Sequence, residues 1–294
     1  MRTYRFRLLN VFAQTTLGGN PLAVFEDGQG LSDAEMQALA LQFNLSETTF
    51  ILPATLPEAN ACVRIFTPTF EMPFAGHPTL GSAQVVRALG LGDQALSLEM
   101  RAGLIPVVST ADQSDTWTLR ANTPTHRRPD ATRAEIASAL SLSENDLIGE
   151  PLWVDTGSDQ LVVPLISPDA VARCAASAEL MAKHCGNGER AMVYVFAPDG
   201  PPRDGIQQAQ VRFFFPKNGS PCEDPGTGSA CANLGGYLLA TETPLPQRWQ
   251  LAQGTAISKP CQLQLHVNAQ REIFVSGRVV ELGHGEIRLP EQTP

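Results

Sequence analysis

Short runs of apolar, β-branched and aromatic residues recur along the chain, punctuated by turns rich in Gly and Pro. Phe6–Phe12 and Leu22–Phe25 read as strands around a Gly18-Gly19-Asn20-Pro21 turn. Ser32-Asp33-Ala34-Glu35 is a capping box that opens a helix with Leu39, Ala40 and Phe43 on its apolar face, and Asn44 is its stop. Thr48–Leu52 and Cys62–Phe66 read as strands, Pro78 opens a second helix to about Leu89, and Leu96–Met100 and Leu104–Ser109 are strands that end the first half. The second half repeats this order. Leu152–Asp155 and Leu161–Leu165 are strands around a Gly-Ser-Asp turn. Ser167-Pro168 then starts a helix expected to reach Lys183. Met192–Phe196 and Val211–Phe215 are strands, a helix follows Pro225 to about Leu239, and the C-terminal stretch is again strand-like. Thr132–Glu135 is a further capping box between the halves, opening an extra helix.

An internal repeat underlies this order. His77-Pro78-Thr79-Leu80-Gly81-Ser82-Ala83 matches Asp224-Pro225-Gly226-Thr227-Gly228-Ser229-Ala230, and Val63-Arg64-Ile65-Phe66-Thr67-Pro68 matches Val211-Arg212-Phe213-Phe214-Phe215-Pro216, both about half a chain apart. The expectation is an α+β protein of two pseudo-symmetric domains, residues 1–122 and 123–294, each a curled, mostly antiparallel sheet around a central helix. The last strand is free to pack with the N-terminal domain. The repeated loops are expected to face the cleft between domains, a favoured place for small ligands. Asp224 reads as an N-cap and Pro225 as the first helical residue. The small residues after them leave amides free to hold an anion such as a carboxylate. His77 at the matching place is a poor cap and a good proton carrier.

The remaining chemistry is mostly exclusion. A net charge of −9 argues against nucleic acid and against an anionic membrane surface. No run of 18 apolar residues and no signal-like N-terminus is seen, so a cytoplasmic protein is expected. The six cysteines form no C-x-x-C pair and read as free thiols. The five histidines are isolated, so no metal site is expected. Gly226-x-Gly228-x-x-Cys231 lacks the third glycine of a dinucleotide fingerprint. Cys185-Gly186-Asn187-Gly188 looks like an epimerase motif, but it follows a helix, where Gly186 or Asn187 reads as a C-cap. Cys231 reads as core, and Cys222 as close to the site without being a nucleophile.

Five segments, in order, resemble the PhzF-like (phenazine biosynthesis) isomerase family over almost the whole chain. They are Gly19-Asn20-Pro21-Leu22-Ala23-Val24-Phe25, Asn44-Leu45-Ser46-Glu47-Thr48-Thr49-Phe50, Arg64-Ile65-Phe66-Thr67-Pro68, Pro73-Phe74-Ala75-Gly76-His77-Pro78-Thr79-Leu80-Gly81 and Glu223-Asp224-Pro225-Gly226-Thr227-Gly228-Ser229-Ala230. The resemblance implies the diaminopimelate-epimerase-like fold. It also implies a cofactor-independent isomerase that moves a proton on a small carboxylate-bearing metabolite, of the dihydro-hydroxyanthranilate isomerase type. Glu47 would be the acid/base residue, with His77 and Asp224 as catalytic partners. Ser46, Gly76, Gly226, Thr227, Gly228 and Ser229 would bind substrate. Where the family has Ala after Glu-Asp-Pro, this chain has Gly226. No cofactor and no metal are expected, and a homodimer is. Two other readings stay open: an amino-acid epimerase or racemase on the same fold, which would need opposed thiols, and a non-catalytic binding protein that kept the fold.

Overall fold

The computed structural model describes residues 1–110 and 112–291. The chain divides into two units, Met1–Leu119 with the stretch from Ser276 onward, and Arg120–Val275. The first holds β1 (Arg2–Val11), β2 (Asn20–Phe25), α1 (Asp33–Phe43), β3 (Thr48–Leu52), β4 (Ala61–Phe66), β5 (Glu71–Met72), α2 (Gly76–Ala88), β6 (Ala95–Met100), β7 (Gly103–Thr110) and β8 (Gln113–Arg120). The second holds β9 (Thr125–Arg127), α3 (Arg133–Ala139), β10 (Leu152–Asp155), β11 (Asp159–Pro164), α4 (Pro168–Arg173), α5 (Ala178–His184), β12 (Val193–Pro198), β13 (Gln207–Lys217), β14 (Ser220–Asp224), α6 (Gly228–Ala240), β15 (Gln247–Gln253) and β16 (Cys261–Val267). A long last strand, β17 (Ile273–Leu289), begins in the second unit, and most of its length lies in the first, where it pairs antiparallel with β1.

In the first unit the sheet runs β17-β1-β2-β3-β4-β6-β7-β8. The β2–β3 and β4–β6 pairs are parallel, and β5 extends the far end of β4. β8 also pairs with β17, so the sheet closes around α2. The helix packs closely on β2: a Cβ on Gly81 would stand 2.4 Å from the Leu22 side-chain tip, which would have to turn aside. In the second unit the sheet runs β9-β10-β11-β12-β13-β15-β16, with β11–β12 and β13–β15 parallel and β14 extending β13. The order of parallel and antiparallel pairs is the same, and α6, buried along almost its whole length, takes the place of α2. The fold is α+β, each unit a curled sheet around a central helix, as the diaminopimelate-epimerase-like arrangement requires. Other helices cover the outer faces. α1 packs Met36, Leu39 and Ala40 against Phe25, Phe50 and Phe66. α3 and α5 bring Ile136 and Met181 onto Val163, Val195 and Phe214.

Several boundaries differ from expectation. α2 starts at Gly76, two residues before Pro78, and α6 starts at Gly228 with Thr227 as its N-cap. Asp224 and Pro225 are therefore not the cap and first residue of α6. Asp224 ends β14, paired with Phe213, and the chain turns once more before the helix begins. The single helix expected from Pro168 to Lys183 is two. Cys174 leaves helical geometry (φ −53, ψ 126). The next amides, of Ala175 and Ser177, are spent on the carbonyls of Leu140 and Ala139, and Ser177 caps a new helix. Cys185, not Gly186 or Asn187, is the C-cap of α5, and the following residues form a turn closed by Gly186 and Ala191. The strands β5, β8, β9 and β14 have no counterpart in the apolar pattern.

The repeat also shifts register within itself. Arg64 and Arg212 are 148 residues apart, but Glu71 and Glu223, and the helix starts Gly76 and Gly228, are 152 apart. The four extra residues lie in the β13–β14 hairpin, whose paired strands run on past Phe214 to a two-residue turn at 218–219. His77 is thus matched by Ser229, the second residue of its own helix, and not by Asp224.

Candidate active site

The first unit supplies a carboxyl and an imidazole. Glu47 sits between the αL stop of α1 at Asn44 (φ 51) and the start of β3. Thr48 and Thr49, the next two residues, are fully buried, and Ser82 of α2 donates to Thr49 Oγ1 at 3.0 Å, so the strand behind Glu47 is pinned to the central helix. His77, on the first turn of α2, is 7% exposed, and its Nε2 lies 3.3 Å from Glu47 Oε2. The ring also bonds the backbone of Pro21, whose only group is a carbonyl, so the imidazole is the donor there. This explains the Gly19-Asn20-Pro21 segment. Gly19 takes φ +90 at a point where a Cβ would meet Val11 O and Ala13 Cβ at 2.8 Å, and the tight turn aims the next carbonyls at the helix. Burial pushes the His77 pKa down to about 3 against the small opposing effect of the Pro21 bond, which leaves a neutral ring. Ser46 is exposed beside Glu47, and Gly76 opens α2 beside His77.

The second unit supplies a carboxylate loop and a hydroxyl. Thr227 Oγ1 donates to Asp224 Oδ2 at 2.5 Å, and the buried side chain of Gln253 clasps the loop. Gln253 Nε2 donates to Asp224 O (2.9 Å) and Thr227 Oγ1 (3.0 Å), while its Oε1 accepts from Thr227 N (3.2 Å). The Thr227 amide is therefore not open to an anion, contrary to expectation. Gly226 and Gly228 are buried, and Ser229 is half-buried. Ser229 Oγ accepts a hydrogen bond from Gln160 Nε2 at 2.9 Å. So Glu47 and His77 come together in one unit, and Asp224, Thr227 and Gln253 in the other.

Gln160, Asn233 and Gln253 escaped the sequence reading. They lie inside a strand, a helix and a strand end, and most of their partners are far away in sequence. The only signal was a polar amide at a position whose neighbours are apolar. Three of the six thiols are poorly suited to the proton transfers of an epimerase. Cys174, Cys185 and Cys231 are buried in apolar surroundings that push each thiol pKa upward, to about 12 for Cys174 and Cys185. None of the six cysteines is in a disulfide. Among the described residues no group of three or more ligand-type side chains could hold a metal, and no helix is long and apolar enough to cross a membrane.

The profile of the phenazine biosynthesis-like protein family matches residues 9–285. The chain belongs to this PhzF family. It is 40% identical to an uncharacterised isomerase of Pasteurella multocida, over 98% of this chain and 95% of that one. It is 31% identical to the trans-2,3-dihydro-3-hydroxyanthranilate isomerase of Pseudomonas aeruginosa, over 97% and 100%. Its fold matches a crystal structure of a PhzF-family phenazine biosynthesis protein from Bacillus anthracis with a TM-score of 0.87, covering 98% of this chain and all of that one at 23% identity. As a member of a family of isomerases, the chain is an enzyme of that class.

Proposed function

We propose that this PhzF-family chain is a cofactor-independent isomerase that moves a proton between carbons of a small cyclic carboxylate, with Glu47 taking and returning the proton. The substrate class is that of the Pseudomonas aeruginosa relative, a dihydro-hydroxyanthranilate or a compound of similar shape. The observation that carries the reading is the 3.3 Å approach of Glu47 to a buried neutral imidazole. With one N–H of His77 given to the Pro21 carbonyl, the nitrogen facing Glu47 bears a lone pair. A carboxyl that has just removed a proton from carbon keeps it and shares it with that lone pair as a hydrogen bond. His77 thus stabilises the enzyme in the interval between proton removal and return. The family resemblance adds Asp224 and Ser229 as binding groups. Asp224, fixed by Thr227 and Gln253, holds an amino or hydroxyl substituent, and Ser229 with the amides at the start of α6 holds the carboxylate.

The test is a screen of cyclic amino and hydroxy acids in deuterated water, followed by mass spectrometry for carbon-bound deuterium. Glu47→Gln keeps the shape and the hydrogen bonding but cannot shuttle a proton. It should bind the substrate and lose turnover by about 10²–10⁴-fold or more. Retained deuterium incorporation in Glu47→Gln would sink the assignment.

A further inference from the structure

The hydrogen bonds behind Ser229 have a fixed direction, and that direction can be traced to the backbone. The amide N–H of Thr156, a donor by its chemistry, points at Asn233 Oδ1 (3.0 Å), as does the Thr156 hydroxyl (2.7 Å). Asn233 therefore turns its NH₂ the other way, where it meets the carbonyl of Ser158 (2.8 Å), an acceptor by its chemistry, and Gln160 Oε1 (2.9 Å). Both ends of the Asn233 amide are thus fixed by main-chain groups, and its flipped form would set donor against donor and acceptor against acceptor. Gln160 is then fixed in turn. Its Oε1 is held by Asn233, so its NH₂ faces Ser229 Oγ (2.9 Å) and Ser158 Oγ (3.3 Å). Asn233 is fully buried and Gln160 is 1% exposed, so water cannot substitute for either partner. The lone pair that Ser229 gives to Gln160 leaves its O–H to point elsewhere, and among the described residues that O–H has no acceptor.

We infer that Gln160 and Asn233 are positioning residues that hold the Ser229 O–H outward as a hydrogen-bond donor to an acceptor, the carboxylate of the substrate. This rests on the reading of Ser229 as a substrate contact. The inference adds a polarity to that contact and names the two buried amides that impose it. Half-exposed serines normally rotate to suit either kind of partner. Here a chain of four residues fills one lone pair of Ser229 and turns its O–H away from Gln160 before any ligand arrives, which is the kind of preorganisation that favours a ligand acceptor at that O–H.

Two measurements test it. A neutron structure of the free, deuterated protein should show the Ser229 deuteron directed away from Gln160, and a deuteron pointing at Gln160 would overturn the relay outright. Calorimetric titration with benzoate, as a minimal ring carboxylate, tests the consequence. Gln160→Glu keeps the Asn233 bond but turns an acceptor toward Ser229, which then donates to the introduced carboxylate and offers its lone pairs to the ligand. Benzoate affinity should fall roughly ten- to hundredfold at pH 8, the range for a lost hydrogen bond to a charged group. It should recover relative to wild type as the pH drops toward 5 and the introduced carboxylate takes up a proton that it can donate. In the Ser229→Ala background the same change should do little, whereas a merely structural role would persist there. Equal affinity of Gln160→Glu and wild type across the pH range would overturn the donor role that the relay gives Ser229. Failure of benzoate to bind wild type, with the deuteron where expected, would instead overturn Ser229 as the carboxylate contact and leave the relay standing.

Discussion

At Gly254 the structure leaves no room for any other residue. Its φ is +77, and a Cβ there would stand 2.3 Å from Lys259 O and 2.5 Å from Pro225 O. Gln253, its neighbour, is the clasp that holds Asp224 and Thr227. Gly254→Ala must shift the backbone on one side or the other, and both obstacles are main chain. We expect a cost of about 1–3 kcal/mol in denaturant melts from the forced αL geometry alone. A loss of turnover larger than the stability loss explains should accompany it, because the shift displaces Asp224. Wild-type turnover in a folded Gly254→Ala would show that the Asp224 loop tolerates displacement. His77→Ala belongs to the same scale. Its proposed work is to receive a hydrogen bond, so turnover should fall less than in Glu47→Gln, and parity between the two would mean that His77 carries the proton itself.

Between elements, the two units share a device. Arg64 of β4 makes a two-pronged pair with Glu71 of β5 (2.8 and 2.7 Å) and lies over Phe66. Arg212 of β13 makes the same pair with Glu223 of β14 (3.1 and 2.7 Å) and lies over Phe214. Each pair ties a central strand to the short strand that leads into the site loop. In the second unit Arg212 also donates to the carbonyls of Val171, Ala172 and Cys174, at the point where α4 ends. The Glu223 side chain is only 7% exposed, so Arg212→Met would leave a buried carboxylate without its partner. Such a loss costs about 3–5 kcal/mol. It should appear as a shift in urea midpoint, and Arg212→Met with Glu223→Gln should recover part of it. No recovery in the double variant would mean that the carbonyl bonds to α4, not the ion pair, are what Arg212 provides.

These pairs also show what the sequence could reveal. Arg64 and Arg212 were visible as a repeat because strand residues keep local spacing. Glu71 and Glu223 were not, because a hairpin of different length separates them from the arginines, and the Pro, Gly, Ser and Ala shared by the two loops set His77 against Asp224. The central helices and β3 and β10 were readable from runs of apolar residues. The edge strands were not, since half-exposed or fully exposed stretches such as Thr125–Arg127 are held by pairing, not by burial. Glu47 and His77 entered through family motifs. Gln160 and Asn233 could not, because their roles depend on contacts up to 77 residues away.

For the whole molecule, His77 makes stability depend on pH in a sense that the bulk charge does not suggest. The chain carries a net charge of −9, so mild acidification lowers its self-repulsion and should favour the folded state. His77 works against this. Its folded pKa lies near 3, below the ordinary histidine value of 6.5, so between those limits the unfolded chain binds a proton that the folded chain refuses. The stabilising contribution is present in full above about pH 6.5 and is lost as pH falls toward 3. At pH 5, against pH 7, this one group should cost about 2 kcal/mol, since each pH unit below the unfolded pKa is worth about 1.4 kcal/mol. His77→Gln fills a similar volume, can still donate to the Pro21 carbonyl and does not titrate. Urea unfolding of both proteins at pH 7 and pH 5 should therefore show wild type losing stability relative to the variant by that amount, and the gap between them narrowing or reversing. Parallel behaviour of the two proteins would mean that the His77 site admits a proton when folded, with Glu47 as its counter-ion. The neutral imidazole that accepts a hydrogen bond from protonated Glu47 would then have to be given up.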